Sequence, residues 1–269
     1  MAMEMARLNE LAEQLRRAQR TGEPCKPLRQ QAPELTIEDA YAIQKLNIDL
    51  AVGLGAPGQG TARVVGWKIG VTSEAVQTWL GVHEPDFGCL LDTMTVDDGD
   101  AVSMAGLLQP RAEGELAFVL SRPLKGPGVT AVDVMNATAC VLPAIEIIDS
   151  RIEGWDIKIV DTVADNASSA RFAVGSRPIP LAEIDVRLIG MALRKNGVVA
   201  ATGAGAASLG NPLKAVAWLA NRLGALGEEL KAGDVVLAGA LGPVVEVAAG
   251  DWLEVQVGSR DRVSVRFVA

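Results

Sequence analysis

The stretch Leu107–Leu120 reads LLQPRAEGELAFVL. Side chains of a β-strand alternate between its faces, so Ala112, Gly114, Leu116, Phe118 and Leu120 share one face and Glu113, Glu115, Ala117 and Val119 share the other. Two carboxylates then point the same way, roughly 6.5–7 Å apart along the pleat, in a segment too apolar for a solvated surface. Ionised carboxylates buried side by side are costly unless a cation or matched donors compensate. A second apolar run, Val141–Asp149 (VLPAIEIID), sets Glu146 between Ile145 and Ile147. A predicted helix separates the two runs, so they are placed to be neighbours in one sheet. Glu113, Glu115 and Glu146 form a candidate oxygen-ligand set for a hard divalent cation, Mg²⁺ or Mn²⁺. The competing reading of Glu-x-Glu is the wet face of an edge strand, and Glu146, flanked by isoleucines, argues against it.

Composition narrows the function classes. At 269 residues and 49% hydrophobic, the chain is long enough for one enzyme-sized core. Lys and Arg number 25 against 33 Asp and Glu, a formal charge of −8, and no basic run exceeds Arg16-Arg17. Nucleic acid and anionic membrane are therefore excluded as expected partners. The amphipathic opening MAMEMARLNELAEQLRRAQR lacks the apolar centre of a signal peptide, and no uninterrupted apolar stretch is long enough to span a bilayer. Cys25, Cys89 and Cys140 are irregularly spaced, as reduced thiols would be, so a cytoplasmic location is expected. His83 is the single histidine, which removes His-rich metal sites.

Apolar spacing predicts helices over residues 4–20 and from Thr36 to about Val52, the second with Asp39 as a capping acid. These make an N-terminal helical segment, 1–60, ending in the glycine-rich loop 53–60, ahead of a β-rich unit, 61–269. A strand over 63–71 carries Lys68 and is interrupted by Gly66 and Gly70, which in a strand mark bulges or close backbone approach. A short helix to Leu80 follows. The Pro- and Gly-bearing stretch 81–88 is read as a loop holding His83 and Asp86, and Asp97–Asp100 as a solvated hairpin turn. A capped helix begins at Thr130. The polar run 160–169 is either an exposed loop or a site wall. Asn196-Gly197 predicts a hairpin turn, residues 211–226 a helix, and 234–268 a four-strand meander. The glycine-rich run 203–210 lacks a dinucleotide-binding spacing.

Lys68, on a mostly apolar strand, is either a surface lysine or a desolvated one paired with acid. With the glutamates it points to a metal-bound enolate or 2-oxo acid, the lysine moving a proton nearby.

Long ordered blocks make the chain recognisable: VVGWKIGVTSEAVQTWLGVHEPDFGCLLDTM, LQPRAEGELAFVL, PAIEIIDSRI, VDTVADNASS and LAGALGPVVEVAAGD. Over nearly its whole length it resembles the 2-hydroxypenta-2,4-dienoate (2-oxopent-4-enoate, or vinylpyruvate) hydratases of the fumarylacetoacetate hydrolase superfamily, which act in meta-cleavage degradation of aromatic compounds. The resemblance implies an α+β fold, a mixed, rolled β-sandwich with an N-terminal helical segment. It puts the metal carboxylates at Glu113, Glu115 and Glu146, and the catalytic groups at Lys68, Asp86 and Ser168. It implies ketonisation of the dienol to a 2-oxo-3-enoate and addition of water at C4, giving 4-hydroxy-2-oxopentanoate. It also implies a homo-oligomer and admits a complex with 4-oxalocrotonate decarboxylase or a downstream aldolase. Trp67 and Ala238 depart from the pattern, which tends to carry Arg or Lys at the first position and a hydroxyl residue at the second.

The nearest rival is 4-oxalocrotonate decarboxylase, similar over almost the same blocks. By resemblance, those enzymes usually carry an apolar residue where this chain has Asp86, which favours hydration. Carbon–carbon hydrolysis in the superfamily leans on a histidine, and only His83 is present. From another class, a non-catalytic β-rich protein could hold a structural ion, with no joint role for Lys68 and Asp86.

Overall fold

The structure, a computed structural model, describes residues 3–54, 61–259 and 261–269. Its helices are α1 (Met5–Thr21), α2 (Leu28–Gln31), α3 (Ile37–Leu54), α4 (Glu74–Leu80), α5 (Ala131–Ala137), α6 (Ile159–Ala164) and α7 (Pro212–Ala225). Its strands are β1 (Val64–Gly70), β2 (Asp86–Leu91), β3 (Thr95–Val96), β4 (Ala101–Ser103), β5 (Arg111–Leu120), β6 (Thr138–Ile148), β7 (Ser169–Val174), β8 (Gly190–Lys195), β9 (Val198–Ala204), β10 (Val235–Leu237), β11 (Val245–Glu246), β12 (Trp252–Val257) and β13 (Asp261–Val268). Local sequence explains several boundaries. Thr36 and Asp39 exchange hydrogen bonds ahead of α3, Thr130 and Asp133 do the same at α5, and the Asn211 side chain accepts from Leu213 N–H to open α7.

The strands form two sheets. One has the order β2-β1-β10-β5-β6-β7-β3, with β11 paired to β5; the other runs β4-β13-β12-β8-β9. β5 and β6 are the long antiparallel centre of the larger sheet. Its rear face, including Leu116, Phe118, Ile145 and Ile147, packs on Leu253, Val255, Val265 and Phe267 of the smaller sheet and on α7, all of them inside one apolar cluster. Each such fully buried side chain contributes about 1.5–3 kcal/mol. The front face packs Leu90, Leu142 and Phe172 together, and α1, α3 and α6 form a further cluster through Leu11, Leu15, Ile43 and Val163. Gln44 ties these layers by donating to the carbonyls of Phe87 and Val163.

Three sequence expectations are corrected. Asp86 opens a fully buried strand and does not sit in a loop, because residues 86–91 pair antiparallel with β1. Asp97–Asp100 is not a hairpin turn: it carries the chain from β3 in one sheet to β4 in the other. The C-terminal strands are no meander, since β10 and β11 belong to the larger sheet and only β12 and β13 form an antiparallel pair. The expected loop 53–60 lies mostly outside the described residues; Gly53 itself is in α3. Among the described residues no helix is long and apolar enough to cross a membrane.

Candidate active site

Strand alternation on β5 aims Glu113 and Glu115 at the front of the large sheet, and antiparallel pairing sets Glu146 directly across from Glu113. One oxygen from each carboxylate lies within 4.8 Å of the other two. Glu115 and Glu146 are 0% exposed, whereas Glu113 keeps a partly exposed edge, so the cluster meets solvent at Glu113. The register Lys68–Leu237–Ala117, running through β1, β10 and β5, turns Lys68 to the same face. Its Nζ stands 3.3 Å from Glu146 Oε2 and donates to the Ala167 carbonyl at 3.0 Å. Asp86 pairs with Gly70 across β1 and β2, and a Cβ on Gly70 would run into Asp86 Oδ1 and lie 3.2 Å from Lys68 Nζ. The glycine thus leaves the space that both groups face.

This cluster is short of positive charge and of donors. Asp86 Oδ1, Glu115 Oε1 and both Glu146 oxygens are buried without a hydrogen-bond partner. The other Glu115 oxygen accepts the Gly239 N–H at 2.8 Å. Gly239 has φ 99°, a conformation that side-chain-bearing residues rarely adopt, and a Cβ there would strike Thr72. Burial, reinforced by neighbouring carboxylates and opposed by Lys68, pushes Glu113 up to about 7 and Asp86 up to about 6. Burial and the charges of Glu146 and Glu113 raise Glu115 well above the usual carboxylate range. Burial alone would lower the Lys68 ammonium, but the surrounding carboxylates, Glu146 foremost, push it above its ordinary value. Converging hard oxygens, several with nothing to bind, fit a Mg²⁺- or Mn²⁺-sized cation.

Lys68, Asp86, Glu113, Glu115 and Glu146 therefore come together. Ser168 is buried in the segment that supplies the Ala167 carbonyl, and its Oγ lies 3.2 Å from Thr162 Oγ1. The polar run 160–169 is a wall of the site, not an exposed loop: residues 161–165 and 167–170 are buried. His83 stands apart, beside Glu74 and Thr78. Trp67 points to the rear of the sheet, edge-on to Phe87 at 5.8 Å, and helps to line a cavity of about 450 Å³ that contains none of the clustered glutamates. Next to the other departure, a hydroxyl is supplied from elsewhere, for the buried Ser208 Oγ donates to the Ala238 carbonyl at 2.5 Å. Sequence reasoning missed the Ala167 carbonyl and the Gly239 amide, since main-chain groups leave no residue-type signal.

A family model for the fumarylacetoacetate (FAA) hydrolase C-terminal region matches residues 67–266. The chain belongs to the fumarylacetoacetate hydrolase family. Its curated relatives include a 2-hydroxyhexa-2,4-dienoate hydratase of Comamonas testosteroni, 48% identical over 257 residues and 95% of each chain. A 2-keto-4-pentenoate hydratase of Paraburkholderia xenovorans (strain LB400) is 46% identical over 96% of this chain and 94% of its own. Among solved structures, 4-oxalocrotonate decarboxylase from Pseudomonas putida G7, complexed with magnesium and adipate, matches with a TM-score of 0.92 and 38% identity, covering 99% of both chains. The matched region contains Lys68, Asp86 and the three clustered glutamates.

Proposed function

We propose that this protein is a divalent-cation-dependent hydratase that converts 2-hydroxypenta-2,4-dienoate to 4-hydroxy-2-oxopentanoate in meta-cleavage degradation of aromatic compounds. The observation that carries the reading is the convergence of Glu113, Glu115 and Glu146, with unpartnered oxygens, beside the single ammonium of Lys68. The hydratases named above, similar over nearly the full length, support this substrate class. The magnesium in the similar decarboxylase supports the choice of ion.

The three glutamates hold the cation, Mg²⁺ in the first instance and Mn²⁺ as the alternative. Bound there, it supplies stabilisation of negative charge on the substrate's 2-oxo oxygen. Ketonisation moves a proton from the 2-hydroxyl to C5, and hydration then places OH on C4 and H on C3. Lys68 Nζ holds the proton that travels to and from the carbon chain. Asp86, facing the same space over Gly70, tunes that ammonium. Ser168 Oγ orients substrate or water. Burial of the cluster limits access to the solvent edge at Glu113.

Residues 61–269 form the catalytic unit in this reading and 1–60 its helical cover. Association into a homo-oligomer is part of the same reading. Docking with 4-oxalocrotonate decarboxylase or a downstream aldolase, and a cytoplasmic location, belong to the same proposal. The test supplies 2-hydroxypenta-2,4-dienoate and, separately, 4-oxalocrotonate with Mg²⁺, and follows the products by NMR. We expect 4-hydroxy-2-oxopentanoate from the first, loss of turnover on chelation, and recovery with Mg²⁺ or Mn²⁺. CO₂ release from the second, with no hydration of the first, overturns the reading.

A further inference from the structure

Asn166, Ala167 and Ser168 carry φ values of 54°, 49° and 56°. Three successive non-glycine residues in the left-handed region are costly, of order 1–3 kcal/mol each, and persist only where surrounding contacts dictate them. Asn166 makes those contacts. Its Oδ1 accepts from Cys89 N–H at 2.8 Å and its Nδ2 donates to the Cys89 carbonyl at 2.9 Å, so its side chain pairs with the main chain of β2. Gly88, one residue earlier, lets the segment approach, because a Cβ there would collide with the Asn166 carbonyl. The product of this arrangement is the next carbonyl along, Ala167 O, aimed at Lys68 Nζ at 3.0 Å.

That hydrogen bond matters because of what the lysine would otherwise do. Glu146 Oε2 is 3.3 Å from the ammonium yet receives no hydrogen bond from it. With the Ala167 carbonyl withdrawn, the ammonium is free to turn onto Glu146 and away from the space over Gly70. We propose that Asn166 is a positioning residue for catalysis: by clamping the 166–168 turn to β2 it fixes the Ala167 carbonyl, and through it the place of Lys68 Nζ. This rests on the reading that Lys68 handles the substrate proton, and it adds a residue that touches neither substrate nor metal.

The test uses Asn166→Ala, Asn166→Gly and Asn166→Asp in the full-length chain with Mg²⁺. Glycine accepts the left-handed backbone but lacks the clamp, whereas aspartate keeps the acceptor for Cys89 N–H. Two readouts are followed: steady-state hydration of the dienoate, and exchange of the C3 hydrogen of 2-oxopentanoate for deuterium in D₂O, in which a C3 proton leaves and a deuteron returns. Misplacement of a reacting group by about 1 Å costs about 100-fold in rate. We expect Ala and Gly to lower kcat and the exchange rate by about that factor, with KM and Mg²⁺ affinity within about twofold, and Asp to fall between them and the wild type. Retention of kcat in Asn166→Gly overturns the proposal, since backbone conformation alone would then suffice. Parallel loss of kcat, KM and Mg²⁺ affinity also overturns it, as collapse of the site would. Where Ala and Gly do not fold, Asp decides: wild-type kcat and exchange count against the clamp, and a selective loss of both supports it. A wild type that exchanges the C3 hydrogen without hydrating the dienoate removes the hydratase reading and leaves the clamp under test by exchange. A wild type that does neither overturns the clamp as well.

Discussion

Two buried charge clusters involve the segment from Ser150 to Ser169, one formed within it and one reached through the Ala167 carbonyl, and they are built on opposite principles. In the first, Asp165 meets Arg151: Oδ1 accepts from Nε at 2.5 Å, Oδ2 from the Arg151 backbone N–H at 2.9 Å, and the other guanidinium nitrogens reach the carbonyls of Asp165 and Ser169. Cation and anion are matched one to one and the donors have acceptors. In the second, the single ammonium of Lys68 faces Glu113, Glu115, Glu146 and Asp86, and four carboxylate oxygens have no partner. The chain satisfies a buried charge fully in one place and leaves it unsatisfied in the other, a deficit that the proposed cation would fill. The first cluster is joinery; the second lacks the positive charge that would balance it.

Removing an acid should therefore have opposite consequences in the two. Asp165→Ala leaves Arg151 buried without its counter-charge, and breaking such a pair costs about 3–5 kcal/mol. Glu113→Gln takes one negative charge from a cluster with too many. In metal-free protein its stability by urea denaturation should equal or exceed that of the wild type, while Asp165→Ala falls by several kcal/mol. Equal losses in both variants would mean that the glutamates are as structurally committed as Asp165.

A smaller effect separates the clusters by ion. A ligand that binds only the folded state stabilises it by about 2.7 kcal/mol at a hundredfold excess over Kd. Mg²⁺ should raise the denaturation midpoint of the wild type towards that limit and do little for Glu113→Gln. An equal shift in the two proteins would place the ion away from the glutamates.

Much of this contrast was legible in the sequence, and what was not has physical reasons. Alternation along 111–120 put Glu113 and Glu115 on one face, and an acid between Ile145 and Ile147 marked Glu146, because both signals are local to a strand. Asp86 was hidden by Pro85 and two glycines, which read as a loop; pairing with β1, and Gln44 of α3 reaching the Phe87 carbonyl, hold the segment as a strand. The left-handed run 166–168 was illegible because none of its residues is glycine and its cause, the Cys89 main chain, lies 77 positions away. The division of the C-terminal strands between two sheets was likewise beyond local periodicity, which gives faces but not partners.

The smallest expected effect is a slope with pH. In metal-free protein Asp86 is pushed up to about 6, Glu113 up to about 7, and Glu115 well above the ordinary range, burial being the first cause in each case. The unfolded chain releases these protons near its reference values of about 3.9 for Asp and 4.3 for Glu. Above those values the folded state binds more protons than the unfolded one, so unfolding free energy falls as pH rises. Their stabilising contribution is complete below about pH 4 and is lost as pH climbs through about 6 and then 7. Asp165 is also raised to about 6 by burial, despite Arg151, and adds a slope of the same sign. That contribution is present with or without Mg²⁺, because the ion and the Arg151 pair do not share a carboxylate. The difference between metal-free and Mg²⁺-saturated stability profiles therefore isolates the glutamate cluster. It should widen from pH 5 to pH 8, as a cation that requires ionised ligands removes the penalty of ionising them. A constant difference across that range would mean that the ion binds without displacing protons from Glu113 and Glu115, and the cluster would then be no more charge-deficient than the Arg151–Asp165 pair.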